Sequence, residues 1–199
     1  MVNELDYLKE SASQTAGPYV HIGLAPHQAG FDIFEKNFTN VVAPPGVAGE
    51  RITIEGRVVD GDGELVTDAM LEVWQADGEG RYPGADPALA NASFKGFGRV
   101  ECNAEGRYSF HTVKPGRVPG PNGVMQAPHL NVGVFARGIL RRLFTRIYFE
   151  DEAANASDPI LALVPAEARQ TLIAHRVGKR AYVFDVRLQG ENETVFFEA

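Results

Sequence analysis

Cysteine is almost missing from this chain: Cys102 stands alone among 199 residues. A lone thiol cannot close an internal bridge, so no disulfide framework is expected, and a reducing, cytoplasmic setting is. Long apolar runs are missing too. None approaches the ~20 residues of a bilayer span, and the opening MVNELDYLKESASQ has no apolar stretch of the signal-peptide kind. Positive charge is outnumbered, with 19 Lys and Arg against 26 Asp and Glu and a net charge of −7. That balance speaks against nucleic acid or an anionic membrane as partner, although Arg137, Arg141 and Arg142 form a local basic group. The chain also lacks GxGxxG, P-loop, HExxH and GxSxG motifs. Its five histidines include no His-x-His or His-x₃-His pair, and CxxC metal sites are impossible.

What is present is an ordinary globular composition, 44% hydrophobic and 23% charged. A chain of this length can bury roughly 70% of its unfolded surface, enough to fold without a metal. Residues 1–13 read as a short helical or irregular arm. QTAGPYVHIG at 14–23 reads as extended and surface-following, because Pro18 lacks a donor and Gly17 frees the backbone. Ala-Pro-Pro-Gly at 43–46 is a turn. In ERITIEGRVVD, 50–60, Ile52, Ile54 and Val58 alternate with Thr53, Glu55 and Arg57, the period of a half-buried strand. Asp60-Gly-Asp-Gly is a hairpin-type turn.

Further strands are expected at 69–76, 97–102, 107–113, 129–136, 143–150, 170–176 and 181–188, in segments rich in β-branched and aromatic residues. One helix is expected at 165–172, opened by Pro165. Residues 77–95 and 114–123 are loops, and the first is long enough to suggest a functional role. Many short strands between turn signals imply an all-β sandwich over 50–199, with 1–49 as an arm and loops.

Several blocks together carry a family resemblance: LEVWQADGEGRY at 71–82, SFHTVKPGRVPG at 109–120, QAPHLNVGVFARG at 126–138, TRIYFEDE at 145–152 and YVFDVRLQGENETVFF at 182–197. In order and spacing they resemble the intradiol ring-cleavage dioxygenases. With QTAGPYVHIGL at 14–24, the resemblance spans about residues 14–199. It implies a prealbumin- or Ig-like β-sandwich and non-haem iron chemistry. In active members of that family, Fe(III) is held by two Tyr and two His, the His as an H-x-H pair. Hard ferric iron favours phenolate oxygen, and imidazole completes the set.

At the matching positions this chain carries Tyr82, Val118, His129 and Asn131. A valine cannot coordinate and an asparagine is a neutral donor, so no catalytic iron is expected on this chain. The resemblance then points to the alpha-type subunits of the family, which pair with a homologous iron-bearing beta chain. It implies protocatechuate and O₂ as substrates, 3-carboxy-cis,cis-muconate as product, and a higher oligomer of alpha–beta pairs. Thr15, Gly17, Pro18 and Tyr19 would lie along the beta-chain pocket, and Arg137 would meet the substrate's ring carboxylate. Trp74 and Gln75 are read as core and subunit contact, and Phe196 and Phe197 as partner-facing or core. Two alternatives stay open. One is a self-sufficient enzyme with rearranged ligands, drawn from Tyr108, His111 or Asp77. The other is a non-enzymatic β-sandwich interaction module.

Overall fold

Alternating burial along Arg51–Val59 makes β1 the spine of one half of the sheet: Ile52, Ile54 and Val58 face inward while Glu55 and Arg57 face out. The computed structural model describes residues 17, 19–26, 29–32, 38–84 and 93–198. Beyond β1 the strands are β2 (Met70–Trp74), β3 (Phe97–Glu101), β4 (Arg107–Val113), β5 (Val118–Pro119), β6 (Met125–Gln126) and β7 (His129–Phe135). β8 (Leu143–Phe149), β9 (Ile173–Arg176), β10 (Ala181–Val183) and β11 (Val186–Arg187) complete the set.

Nine of these form one mixed sheet. Its path runs β11-β1-β10-β9-β8-β7-β2-β3, with β4 also paired to β1. The sheet folds over so that its two halves face each other. Ile52, Ile54, Phe110 and Tyr182 from one half meet Leu71, Val73, Leu130, Val132, Ile147 and Phe149 from the other. The layered all-β architecture expected from the sequence is therefore present, as one continuous sheet bent into two layers. β5 and β6 form a separate small hairpin.

The Asp60–Gly63 turn closes a short hairpin, as expected, bridging Val59 to Leu65, and β2 pairs with β3 and β7. Two local expectations need correction. The helix expected at 165–172 is a turn followed by a 3-10 segment, Arg169–Leu172, which feeds straight into β9. Leu172 must be buried there while the preceding turn stays on the surface, and one tight turn does this better than an α-helix. The segment expected to be extended at 14–23 contains a short helix, α1 (Val20–Leu24), started by the Tyr19 carbonyl accepting from the Gly23 amide. Pro18 restricts only its own neighbourhood, and the residues after it are free to turn. The arm expected at 1–13 lies outside the described residues.

α1 is tied to the outer face of the sheet. Arg99 on β3 donates to the Leu24 carbonyl at 2.6 Å and pairs with Glu72 on β2. The carboxy-terminal segment returns to the sheet: Phe196 packs on the main core, and Phe197 lies against Phe144 and a second apolar cluster. Both phenylalanines are half-buried in these contacts.

Two buried constraints hold the β1 half together. Tyr108 donates its hydroxyl hydrogen to the Phe184 carbonyl inside the core. Beside it, a Cβ at Gly56 would stand 1.8 Å from that same carbonyl oxygen. Tyr108→Phe strands the carbonyl without its donor and is expected to lower unfolding free energy by about 1–3 kcal/mol. Gly56→Ala should cost more, because the backbone of β10–β11 must move. Urea denaturation of both variants checks the order.

Candidate functional site

Alternation along β7 and β8 sorts side chains to two faces. Leu130, Val132, Ile147 and Phe149 enter the core. His129, Asn131, Arg146 and Tyr148 take the opposite face, with His129 opposite Tyr148 and Asn131 opposite Arg146 in register. Asn131 is also opposite Trp74 on β2, so Trp74, Asn131 and Arg146 form one row across three strands.

Two loops cover this face. The first is the turn after β2, shaped by Asp77. Its carboxylate accepts from the amides of Glu79 and Arg81 and from the Arg81 guanidinium. Gly80 makes this turn possible: its φ is +81°, and a Cβ there would meet the Arg117 carbonyl oxygen at 1.9 Å. The turn delivers Tyr82, whose ring stacks on Trp74 at 5.8 Å between centroids. The second cover is the β5–β6 hairpin, which sets Val118 opposite Gln126. The backbones of the two loops meet closely, with the Gly116 amide donating to the Asp77 carbonyl at 2.8 Å.

Three of the four positions matched to iron ligands thus come to one place, and the fourth sits on the hairpin beside it. The Asn131 amide donates to the Tyr82 hydroxyl at 3.2 Å and to the Trp74 carbonyl at 3.4 Å. His129 is buried with Nδ1 at 2.8 Å from the Ala127 carbonyl. A carbonyl only accepts, so Nδ1 carries the hydrogen. Val118 is buried and offers only hydrocarbon.

The sequence reading passed over the group that ties these residues together. Arg146 donates from Nη1 to Gln126 Oε1 at 2.7 Å and to the Tyr148 hydroxyl at 3.3 Å. Tyr148 in turn donates to Asp158 Oδ1 at 3.2 Å. Asp158 also accepts from the amides of Ala127, Ile160 and Leu161, a buried cap that anchors the loop after β8. The available signal was an arginine in the middle of LFTRIYF, an otherwise apolar strand.

Electrostatics follow from this packing. Burial, reinforced by the Arg146 charge, lowers the His129 pKa to about 4. Burial raises the Tyr82 phenol above its ordinary value, only partly offset by the Asn131 hydrogen bond and by Arg146. Tyr148 is pushed up to about 12, chiefly by burial. The site is a neutral imidazole, two neutral phenols, an amide and a guanidinium.

These residues do not fit a ferric ion. One imidazole nitrogen and one protonated phenol remain of the family's four ligands, and a cation stands beside them. The alternative ligands are engaged elsewhere. Tyr108 serves the Phe184 carbonyl, His111 is exposed and bonded to Thr53 Oγ1, and Asp77 caps its turn. Among the described residues no cluster of three or more His, Cys, Asp or Glu could hold a metal ion.

The family model described as Dioxygenase matches residues 34–190. The chain belongs to the intradiol dioxygenase family. It is 51% identical to the protocatechuate 3,4-dioxygenase alpha chain of Pseudomonas putida, over 98% of both chains. It is 49% identical to that of Burkholderia cepacia, over 96% of this chain and 98% of the relative. Similarity to the Burkholderia cepacia beta chain is lower, 37% over 73% of this chain and 67% of the relative. In fold it is similar to catechol 1,2-dioxygenase from Acinetobacter sp. ADP1, with a TM-score of 0.61 and 19% identity over 74% of this chain and 55% of that one. The near end-to-end identity also disfavours an unrelated interaction module.

The remaining site expectations fall elsewhere. Thr15 and Pro18 lie outside the described residues. Gly17 is half-buried with open space around it, and Tyr19 is 79% exposed. Arg137 is 73% exposed and gives its Nε to Asp68 at 2.6 Å. Gln75 is fully buried. It donates to the Ala76 and Val113 carbonyls and accepts from Thr112. Trp74, expected as core and subunit contact, is 38% exposed and stacks on Tyr82.

His129 gives this site a pH signature. Its unfolded pKa is near 6.5 and its folded value about 4. Between these the unfolded chain binds more protons, so acid favours unfolding. The stability contribution is complete above about pH 6.5 and is lost progressively down to about pH 4. The loss is about 3 kcal/mol. His129→Gln, which keeps a donor for Ala127, should flatten this part of the stability profile in urea titrations. An equally steep profile would contradict the assignment.

Proposed function

We propose that this chain is the iron-free alpha-type subunit of a protocatechuate 3,4-dioxygenase, working with a homologous beta chain that holds the Fe(III). One observation carries the reading. The chain matches alpha chains almost end to end while two of its four ligand positions, Val118 and Asn131, cannot serve a ferric ion. The complex adds both atoms of O₂ to protocatechuate, breaks the bond between the two hydroxyl-bearing carbons and releases 3-carboxy-cis,cis-muconate. The beta chain supplies the metal chemistry, and several alpha–beta pairs assemble into one cytoplasmic particle.

This chain supplies a wall of the partner's pocket. Residues 1–49 form the arm and loops that pack on the beta chain, and 50–199 form the sandwich. Thr15, Gly17, Pro18 and Tyr19 contribute to the substrate pocket. Tyr19 suits this because its large ring finds little cover within its own chain. Gly17 suits it because, among the described residues, nothing stands within 4 Å of where its Cβ would be. Arg137 takes the ring carboxylate. Its Nε edge is held by Asp68, and its terminal nitrogens make no hydrogen bond among the described residues. A guanidinium fixed on one edge presents the other to a carboxylate.

Two experiments test this. The chain produced alone should contain no iron and cleave no catechol, and co-production with its beta chain should give both. Stoichiometric iron in the isolated chain would overturn the proposal. Within the assembled complex, Arg137→Ala should lower kcat/KM for protocatechuate by about ten- to a hundredfold. Plain catechol, which lacks the carboxylate, should be little affected. Equal loss for both substrates would remove the carboxylate role.

A further inference from the structure

We propose that Arg146 is a built-in cation that takes over the charge of the missing metal, so that this site would reject a metal ion even with its ligands restored. The inference rests on Tyr82, Val118, His129 and Asn131 occupying the family's ligand positions. It does not depend on what the partner chain does.

Placement comes first. Arg146 stands directly opposite Asn131 in the β7–β8 register, and its strand neighbour Tyr148 stands opposite His129. Asn131 is bonded to Tyr82. The guanidinium therefore shares one sheet face with the three ligand positions that meet there. Its Nη1 is pinned from two sides, by Gln126 of the covering hairpin and by the Tyr148 hydroxyl. Swinging it away would leave the buried Gln126 oxygen without its donor.

Compensation comes next. Arg146 makes no ion pair among the described residues, unlike Arg57, Arg81, Arg99, Arg137 and Arg176. The acid of this cluster, Asp158, is already met by three backbone amides and the Tyr148 hydroxyl. The acceptors of Arg146 are neutral. A half-buried, unpaired positive charge repels a second cation at short range far more strongly than in water. A neutral residue could have tied the hairpin to the sheet as well, so a purely structural tie does not require this charge.

Metal titration of the full-length chain separates the two roles, with Co²⁺ as probe, followed by its absorption and by calorimetry. V118Y/N131H restores the ligand types. It should bind Co²⁺ weakly, and V118Y/N131H/R146Q should bind at least about tenfold more tightly. V118Y/N131H/R146K, which keeps the charge, should stay weak. If the hairpin does not accept a tyrosine, N131H against N131H/R146Q makes the same comparison with Val118 kept. Circular dichroism confirms that each compared variant is folded. Equal affinity with and without the Arg146 charge, in folded proteins, overturns the inference. Tight binding by the unmodified chain would instead count against the proposed function.

Discussion

The β7–β8 ladder is the constraint on which the rest of this molecule depends. Its alternation sends Leu130, Val132, Ile147 and Phe149 into the core and His129, Asn131, Arg146 and Tyr148 to the opposite face. A slip of one residue would exchange the two sets and lose both at once. The core therefore fixes the site. Burial of four large apolar side chains, each stabilising by about 1.5–3 kcal/mol, holds the register that aligns the polar row. Trp74 joins that row through β2, and the Gly80 turn brings Tyr82 onto it.

On that face the chain has exchanged coordination for hydrogen bonding. Where the family holds a ferric ion between phenolates and imidazoles, this chain has an amide joined to a phenol, an imidazole facing a carbonyl, and a guanidinium bonded to an amide and a second phenol. The strand ladder that orients this row is held by the core, and does not depend on what the row binds. Elsewhere on the same framework, Arg137 is held by Asp68 and stays exposed.

Much of this was legible in the residues. β1 follows the period-two pattern, because one face lies in the core, and β4, β7 and β8 are marked by their β-branched and aromatic residues. Val118 and Asn131 drew notice only through the family resemblance, which sets them at two ligand positions. What the sequence hid was context. Pro165 looks like a helix start, yet burial of Leu172 is met by a 3-10 turn. Asp60-Gly-Asp-Gly does close a hairpin, but nothing in it says that β2 pairs with β3 and β7. Arg146 lies in a block that was noticed for its apolar residues, and its partners Gln126 and Tyr148 are 20 and 2 positions away. Only the register shows that all three meet the ligand positions.

Anomalous X-ray diffraction at the iron edge, from crystals of this chain assembled with its beta-type partner, tests the central claim most directly. The expected map has one strong peak per pair, within the partner, and none on the outer face of the β7–β8 ladder. An iron peak between Tyr82 and His129 of this chain would contradict the assignment of this subunit as the metal-free half.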